Sequence, residues 1–161
     1  MTKLVARTGM GATALRFTIL TAARSGEVRG ATWNEIDLDN ATWTVAAHRM
    51  KARREHRVPL AKQALEILHA VRQEPDADDL VFPSGRSGRP LSDMTLTAVV
   101  KRMGRDDLTV HGFRSSFRDW AAEATNHPGE RAEAACRRGG LFEKRRRMMR
   151  DWARYCLGKT G

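Results

Sequence analysis

Leu15, Ile19 and Ala22 recur at i, i+4 and i+7 and predict a helix over Ala12–Ala22 with one buried stripe. Ser25–Ala31 reads as a second, short helical turn bounded by Gly30, and Asn34–Asn40 as a polar turn. Trp43 and Val45 alternate within Thr42–His48, which predicts a strand. Arg57–Leu60, ended by Pro59, is its expected partner across the basic turn Arg49–Arg54. Thr42–Leu60 is therefore expected to form a β-hairpin with a positively charged tip. Ala61, Ala64, Leu65, Leu68 and Val71 give an amphipathic helix over Ala61–Arg72, ended by the acidic stretch Pro75–Asp79. Leu80–Phe82 suggests a short strand and Pro83–Pro90 a loop. Ser92 is placed to N-cap a helix running through Met103.

The strongest stripe follows. Phe113, Phe117, Trp120, Ala121 and Ala124 sit at i, i+4, i+7, i+8 and i+11 of a helix starting near His111 and running to about Thr125. Asn126-His127-Pro128-Gly129 ends it. Glu130–Leu157 is helix-prone and basic. Trp152 and Tyr155, at i, i+3, are expected to bury one face of a last helix. The expected core residues are Phe113, Phe117, Trp120, Leu15, Ile19, Leu65 and Leu68. The expected class is α+β: mostly helical, with a small antiparallel sheet near residues 42–60.

Composition narrows the function. The 161 residues, 41% apolar and 30% charged, suit one globular domain rather than a disordered chain. A net charge of +10 points to a polyanionic partner. The second half carries most of that surplus. Within Arg137–Arg150 there are 7 basic residues and one acid, which favours contact with a nucleic-acid backbone over a merely solvated face. No run approaches the ~18 consecutive apolar residues of a membrane span. No export signal opens the chain, so the expected location is cytoplasmic. Cys136 and Cys156 make neither a disulfide scaffold nor a four-ligand zinc site, and no Gly-rich phosphate loop is present. No cofactor or metal is expected.

Four features carry candidate chemistry. Arg24, between two helical segments, can present its fork to a phosphate, assisted by N–H groups at the next helix start; the alternative is a surface Arg paired with Glu27. Lys51, at the hairpin tip among Arg49, Arg53, Arg54 and Arg57, is a proton donor or one of a run of solvated charges. His111 and Arg114 share one helical face. The basic C-terminal stretch is the fourth.

Their order along the chain is more specific than any one of them. Ala23-Arg24-Ser25-Gly26-Glu27, then Lys51 ahead of Arg57-Val58-Pro59-Leu60, then Val81-Phe82-Pro83-Ser84, then His111-Gly112-Phe113-Arg114 resembles the catalytic domain of tyrosine recombinases, and more closely the phage and genomic-island integrases. The resemblance runs from about Ala14 to Tyr155. It implies that Arg24, Lys51, His111 and Arg114 surround one scissile DNA phosphate. In that family a tyrosine attacks the phosphate, forms a 3′-phosphotyrosyl bond and frees a 5′-hydroxyl, without metal or ATP. Arg49, Arg53, Arg54, Arg57, Arg137 and Arg138 are the expected DNA-backbone contacts, with double-stranded DNA as the partner and no membrane.

The same resemblance marks departures. The family's Leu-x-His-type box is missing between Pro128 and Arg138, and Cys136 stands in the nucleophile's place, in Ala134-Ala135-Cys136-Arg137-Arg138. Tyr155, the only tyrosine, is the alternative nucleophile, although its neighbours resemble the region after the nucleophile. The expected organisation is one catalytic domain over 1–161, shortened or rearranged in 128–161, with no N-terminal DNA-binding domain. The expected function is DNA strand cleavage and rejoining, impaired by loss of the tyrosine. The alternatives are a non-enzymatic DNA-binding remnant or regulator, and a basic module acting on RNA or protein. A monomer or weak dimer is expected without DNA, with self-association on DNA.

Overall fold

The computed structural model describes residues 1–50, 53–72, 76, 79–85, 88–123 and 139–158. Helix α1 (Thr2–Val5) leads into α2 (Met10–Thr21) and α3 (Ser25–Arg29). Strands β1 (Ile36–Asp37), β2 (Thr42–Val45) and β3 (His56–Pro59) form an antiparallel sheet in that order. Helices α4 (Lys62–Val71), α5 (Asp93–Arg102), α6 (Val110–Glu123) and α7 (Gly139–Cys156) follow among the described residues. The fold is mostly helical with one small antiparallel sheet, the class the periodicity implies.

Helix α2 is the hub, packing against α1 and α3 to α7. Its apolar positions run nearly all round: Ala12, Ala14, Leu15, Phe17, Ile19 and Leu20 are buried. A helix buried on most sides belongs at the centre of a domain. Phe17 lies at the middle of the core, 5.5 Å from the Trp43 ring and 5.2 Å from the Phe82 ring. Thr18 and Thr21 are buried too, and each returns its hydroxyl to a carbonyl four residues back, Ala14 and Phe17. That satisfies a polar group which would otherwise cost free energy in the interior.

The sheet's register sets the hairpin. Trp43 pairs with Val58, Thr44 with Arg57 and Val45 with His56, so Trp43, Val45 and Val58 reach the core. Pro59, with no N–H to donate, sits at the end of edge strand β3. β1 lies inside the segment expected to be a polar turn. The period-2 signal fails over two residues, and Asp37 accepts from the Asn40 N–H at 2.8 Å to close the turn into β2. Leu80 makes only an isolated bridge with Thr32, so Leu80–Phe82 is not a strand. Ser92 is the N-cap of α5; its hydroxyl meets Thr95 Oγ1 at 2.9 Å rather than a backbone N–H.

Among the expected core residues, Leu15, Ile19, Leu68 and Phe117 are buried, whereas Leu65, Phe113 and Trp120 are half-buried at its edge. Ala124 lies outside the described residues. Helix α7 buries Met148, Met149, Trp152 and Ala153, and Trp152 Nε1 donates to the Ile19 carbonyl at 2.8 Å. Tyr155 does not share that burial. It is 58% exposed, with its ring stacked on Trp152 at 5.6 Å. The i, i+3 spacing aligns the two rings, but Tyr155 lies at the core's edge, near the end of the helix.

Candidate active site

The site is built where α2 ends. Ala22 takes the left-handed conformation (φ 50°), closing the helix and turning the chain towards α3. Arg24 is the N-cap of α3. Its backbone N–H donates to Glu27 Oε2 at 2.9 Å and its Nη1 to Glu27 Oε1 at 2.7 Å. Glu27 is buried, whereas the Arg24 side chain is 43% exposed. The Arg24–Glu27 pair therefore exists, and it orients the guanidinium instead of removing it from use. The carboxylate occupies the Arg24 N–H, so that N–H is not a further anion donor.

Opposite stands α6. Thr109 Oγ1 accepts from the Gly112 N–H at 3.0 Å and caps the helix start. His111 is exposed, and Arg114, one turn on, is half-buried. Arg114 Nη1 donates to the Ala22 carbonyl at 2.6 Å. Phe117, farther along α6, is buried and packs edge-on against Trp152 at 5.3 Å between ring centres, which seats the helix.

Arg24, His111 and Arg114 line one cavity of about 340 Å³, together with Ala23, Ser25, Gly26, Glu27, Val110 and Arg49. The Arg24 and Arg114 guanidiniums and the His111 imidazole around a space of that size can receive an anionic group with several oxygens. Arg24 and Arg114 are each anchored to a protein acceptor before any ligand arrives. Donors held this way stabilise developing negative charge without reorganising.

Of the other expected residues, Arg49 alone among those described lines the cavity. Arg49 does not stand on an exposed basic tip. A 3-10 turn at Ala47–Arg49 folds it inward, where Nη1 engages both Glu35 carboxylate oxygens and Nη2 donates to the Glu27 carbonyl at 2.7 Å. Arg53, Arg54 and Arg57 are exposed. The Arg57 guanidinium lies 4.9 Å from the centre of the Phe142 ring. Lys51, Cys136, Arg137 and Arg138 lie outside the described residues. The basic face of α7 is partly engaged by the protein itself. Arg145 is 6% exposed and meets His56 Nε2 at 3.2 Å, and Arg146 reaches the Asn40 carbonyl at 3.1 Å. Lys144, Arg147 and Arg150 remain exposed. Tyr155 is not among the cavity's lining residues; it stacks on Trp152 and lies 5.9 Å from Trp120. Glu35 and Trp43 do not line the cavity but hold Arg49 from behind it. Nothing in Trp33-Asn34-Glu35 shows that its carboxylate meets a residue 14 positions on.

Comparison with known proteins bears on this arrangement. The "Phage integrase family" model matches residues 6–126. The chain belongs to the phage integrase family. It is similar to the prophage integrase IntZ of Escherichia coli K12, 34% identical over 153 residues, and to the integrase of Enterobacteria phage P4, 30% identical over 171 residues. Both comparisons cover 88% of this chain, but only 38% and 39% of those relatives. The family member therefore spans well under half the length of the relatives it matches. IntB of Escherichia coli K12 is 31% identical over 186 residues, covering 96% of this chain and 47% of IntB. That span exceeds the 161 residues present, so IntB carries stretches without counterparts here. No solved structure matches.

Proposed function

We propose that this integrase-family domain binds double-stranded DNA with one backbone phosphate in the cavity of Arg24, His111 and Arg114, and that its strand-cleavage step is impaired. The observation that carries the reading is the convergence of those three side chains, drawn from two separate segments of the chain, on one cavity. A phosphoryl transition state gathers charge on its non-bridging oxygens. Two anchored guanidiniums and an imidazole stabilise that charge more than the ground state. Lys51 is proposed as general acid to the leaving 5′-oxygen, delivered by the segment between β2 and β3. Arg53, Arg54, Arg57, Arg137 and Arg138 are proposed as backbone contacts, and DNA as the scaffold for self-association of an otherwise monomeric or weakly dimeric cytoplasmic protein.

Impairment rests on the residues themselves. By the resemblance, Cys136 stands in the place of the family's tyrosine, in a segment that lacks the family's Leu-x-His-type box. The exposed Tyr155 ring is held by Trp120 and Trp152, away from the cavity's lining. The same observations favour a second reading, a DNA-binding regulator with no cleavage at all.

Nicked suicide duplexes resolved on denaturing gels test both. The expected result is salt-sensitive binding, weakened by Arg24→Ala or Arg114→Ala, with little or no covalent adduct. An adduct abolished by Tyr155→Phe or by Cys136→Ser alone would assign the nucleophile and overturn impairment. Binding indifferent to both arginine changes would remove the cavity from the reading.

A further inference from the structure

Arg49 lies between two features that the proposed reaction needs in register. On one side it lines the cavity of Arg24, His111 and Arg114. On the other it lines an open groove of about 740 Å³ with Ala47, His48, Met50 and Arg53, at the root of the segment carrying Lys51. Its side chain is largely buried and so is the Glu35 carboxylate. Trp43 Nε1 donates to that carboxylate at 3.1 Å, fixing it from the sheet. The free edge of the Arg49 fork donates to the carbonyl of Glu27, the residue whose carboxylate orients Arg24. The chain of contacts is therefore continuous: Trp43, Glu35, Arg49, Glu27, Arg24.

From this geometry we infer that Arg49 is a positioning residue, a latch from the sheet to α3 that sets the Arg24 guanidinium for the DNA phosphate. The inference rests on the phosphate-binding reading given above. Arg49 is not itself a charge offered to DNA, because Glu35 neutralises it in place. Its planar fork, rather than its charge, joins two acceptors in one plane, and a lysine ammonium lacks that shape.

Gly30 provides a second handle. A Cβ on Gly30 would lie 2.8 Å from Arg49 Nη2. Gly30 has φ −104°, a conformation open to alanine, so Gly30→Ala displaces the fork while keeping every charge. This matters because Arg49→Gln strands the Glu35 carboxylate in a buried position and tests folding as well as latching.

The experiment is a double-mutant cycle, read by fluorescence anisotropy with one labelled DNA duplex at fixed salt, on full-length variants whose near-UV circular dichroism matches the parent. Arg49→Gln is expected to weaken binding about tenfold, a loss of about 1.4 kcal/mol, and Gly30→Ala several-fold. In an Arg24→Ala background each change is expected to add less than about twofold, because its effect runs through Arg24. Arg49→Lys is expected not to restore affinity. Full additivity with Arg24→Ala, or full rescue by Arg49→Lys, overturns the latch. If Arg24→Ala weakens binding while the Arg49 and Gly30 variants do not, only the latch fails. If Arg24→Ala has no effect, the phosphate-binding reading fails with it.

Discussion

Arg114 Nη1 donates to the Ala22 carbonyl across 2.6 Å, tying α6 to the left-handed residue that ends α2 over a separation of 92 residues. The contact sets one wall of the cavity and supplies a donor to a helix C-terminus, where cations are favoured. Arg114→Ala is therefore expected to act twice. Loss of a charge-assisted phosphate contact should weaken duplex binding by roughly 1–3 kcal/mol. Loss of the donor to Ala22 should lower thermal stability by a few degrees, since about 1 kcal/mol corresponds to roughly 2–4 °C in a chain of this size. Anisotropy titration and calorimetry measure the two separately. A binding defect with unchanged stability would mean the Ala22 contact contributes nothing.

Salt provides an independent check on Arg24. Each neutralised phosphate releases condensed counterions, so log affinity should fall linearly with log salt. Arg24→Ala should reduce the magnitude of that slope by about one phosphate contact. The exposed Arg54, away from the cavity's lining, should change the slope similarly if it meets the backbone, but leave the cavity contact intact. An Arg24→Ala protein with the parent slope places Arg24 outside the DNA interface.

The elements most legible in the sequence are those whose signal is local. The stripe of α6, the two strands flanking the basic turn and the N-cap at Ser92 each follow from local spacing. The cavity's members were legible as residue types in order, because an Arg, a His and an Arg keep their chemistry wherever the chain puts them. The network behind them was not. Arg49 reads as one more cation in a basic turn until the 3-10 turn brings it to Glu35, and Arg146 reads as a solvated charge until α7 brings it to the Asn40 carbonyl. Long-range partners of arginine depend on tertiary contacts that periodicity does not encode. The edge of the core was also misjudged: Trp120 and Tyr155 keep the stripe's spacing, but stack beyond the buried part of α7.

Phe117 tests the packing side. It is buried and sits against both Trp120 and Trp152, at 6.1 and 5.3 Å between ring centres. Truncation to alanine removes most of a ring from a cluster seating both α6 and α7. Phe117→Ala should cost about 3–5 kcal/mol in urea unfolding. Phe113→Ala, at the core's half-buried edge, should cost clearly less. Equal costs would place the two rings in equivalent surroundings, contrary to the structure.

Cys156 gives a pH prediction. Burial at the end of α7 pushes its thiol up from the ordinary 9.0 to about 12, because the interior disfavours the thiolate. The unfolded chain therefore releases this proton from about pH 9, while the folded chain holds it until about pH 12. Over that interval the folded state binds more protons than the unfolded one, so stability falls as pH rises, and nothing is lost below pH 9. At pH 10 the expected loss is on the order of 1 kcal/mol. The comparison is between a Cys136→Ser protein and the same protein carrying Cys156→Ala, so that every other group cancels. Urea unfolding at pH 8 and pH 10 should show a larger loss for the chain that keeps Cys156. The thiol should also react slowly with iodoacetamide at pH 8 in the folded protein and readily in urea. Rapid alkylation of the folded chain, or equal pH dependence in both proteins, would place the sulfur in contact with water and α7 less firmly on α2.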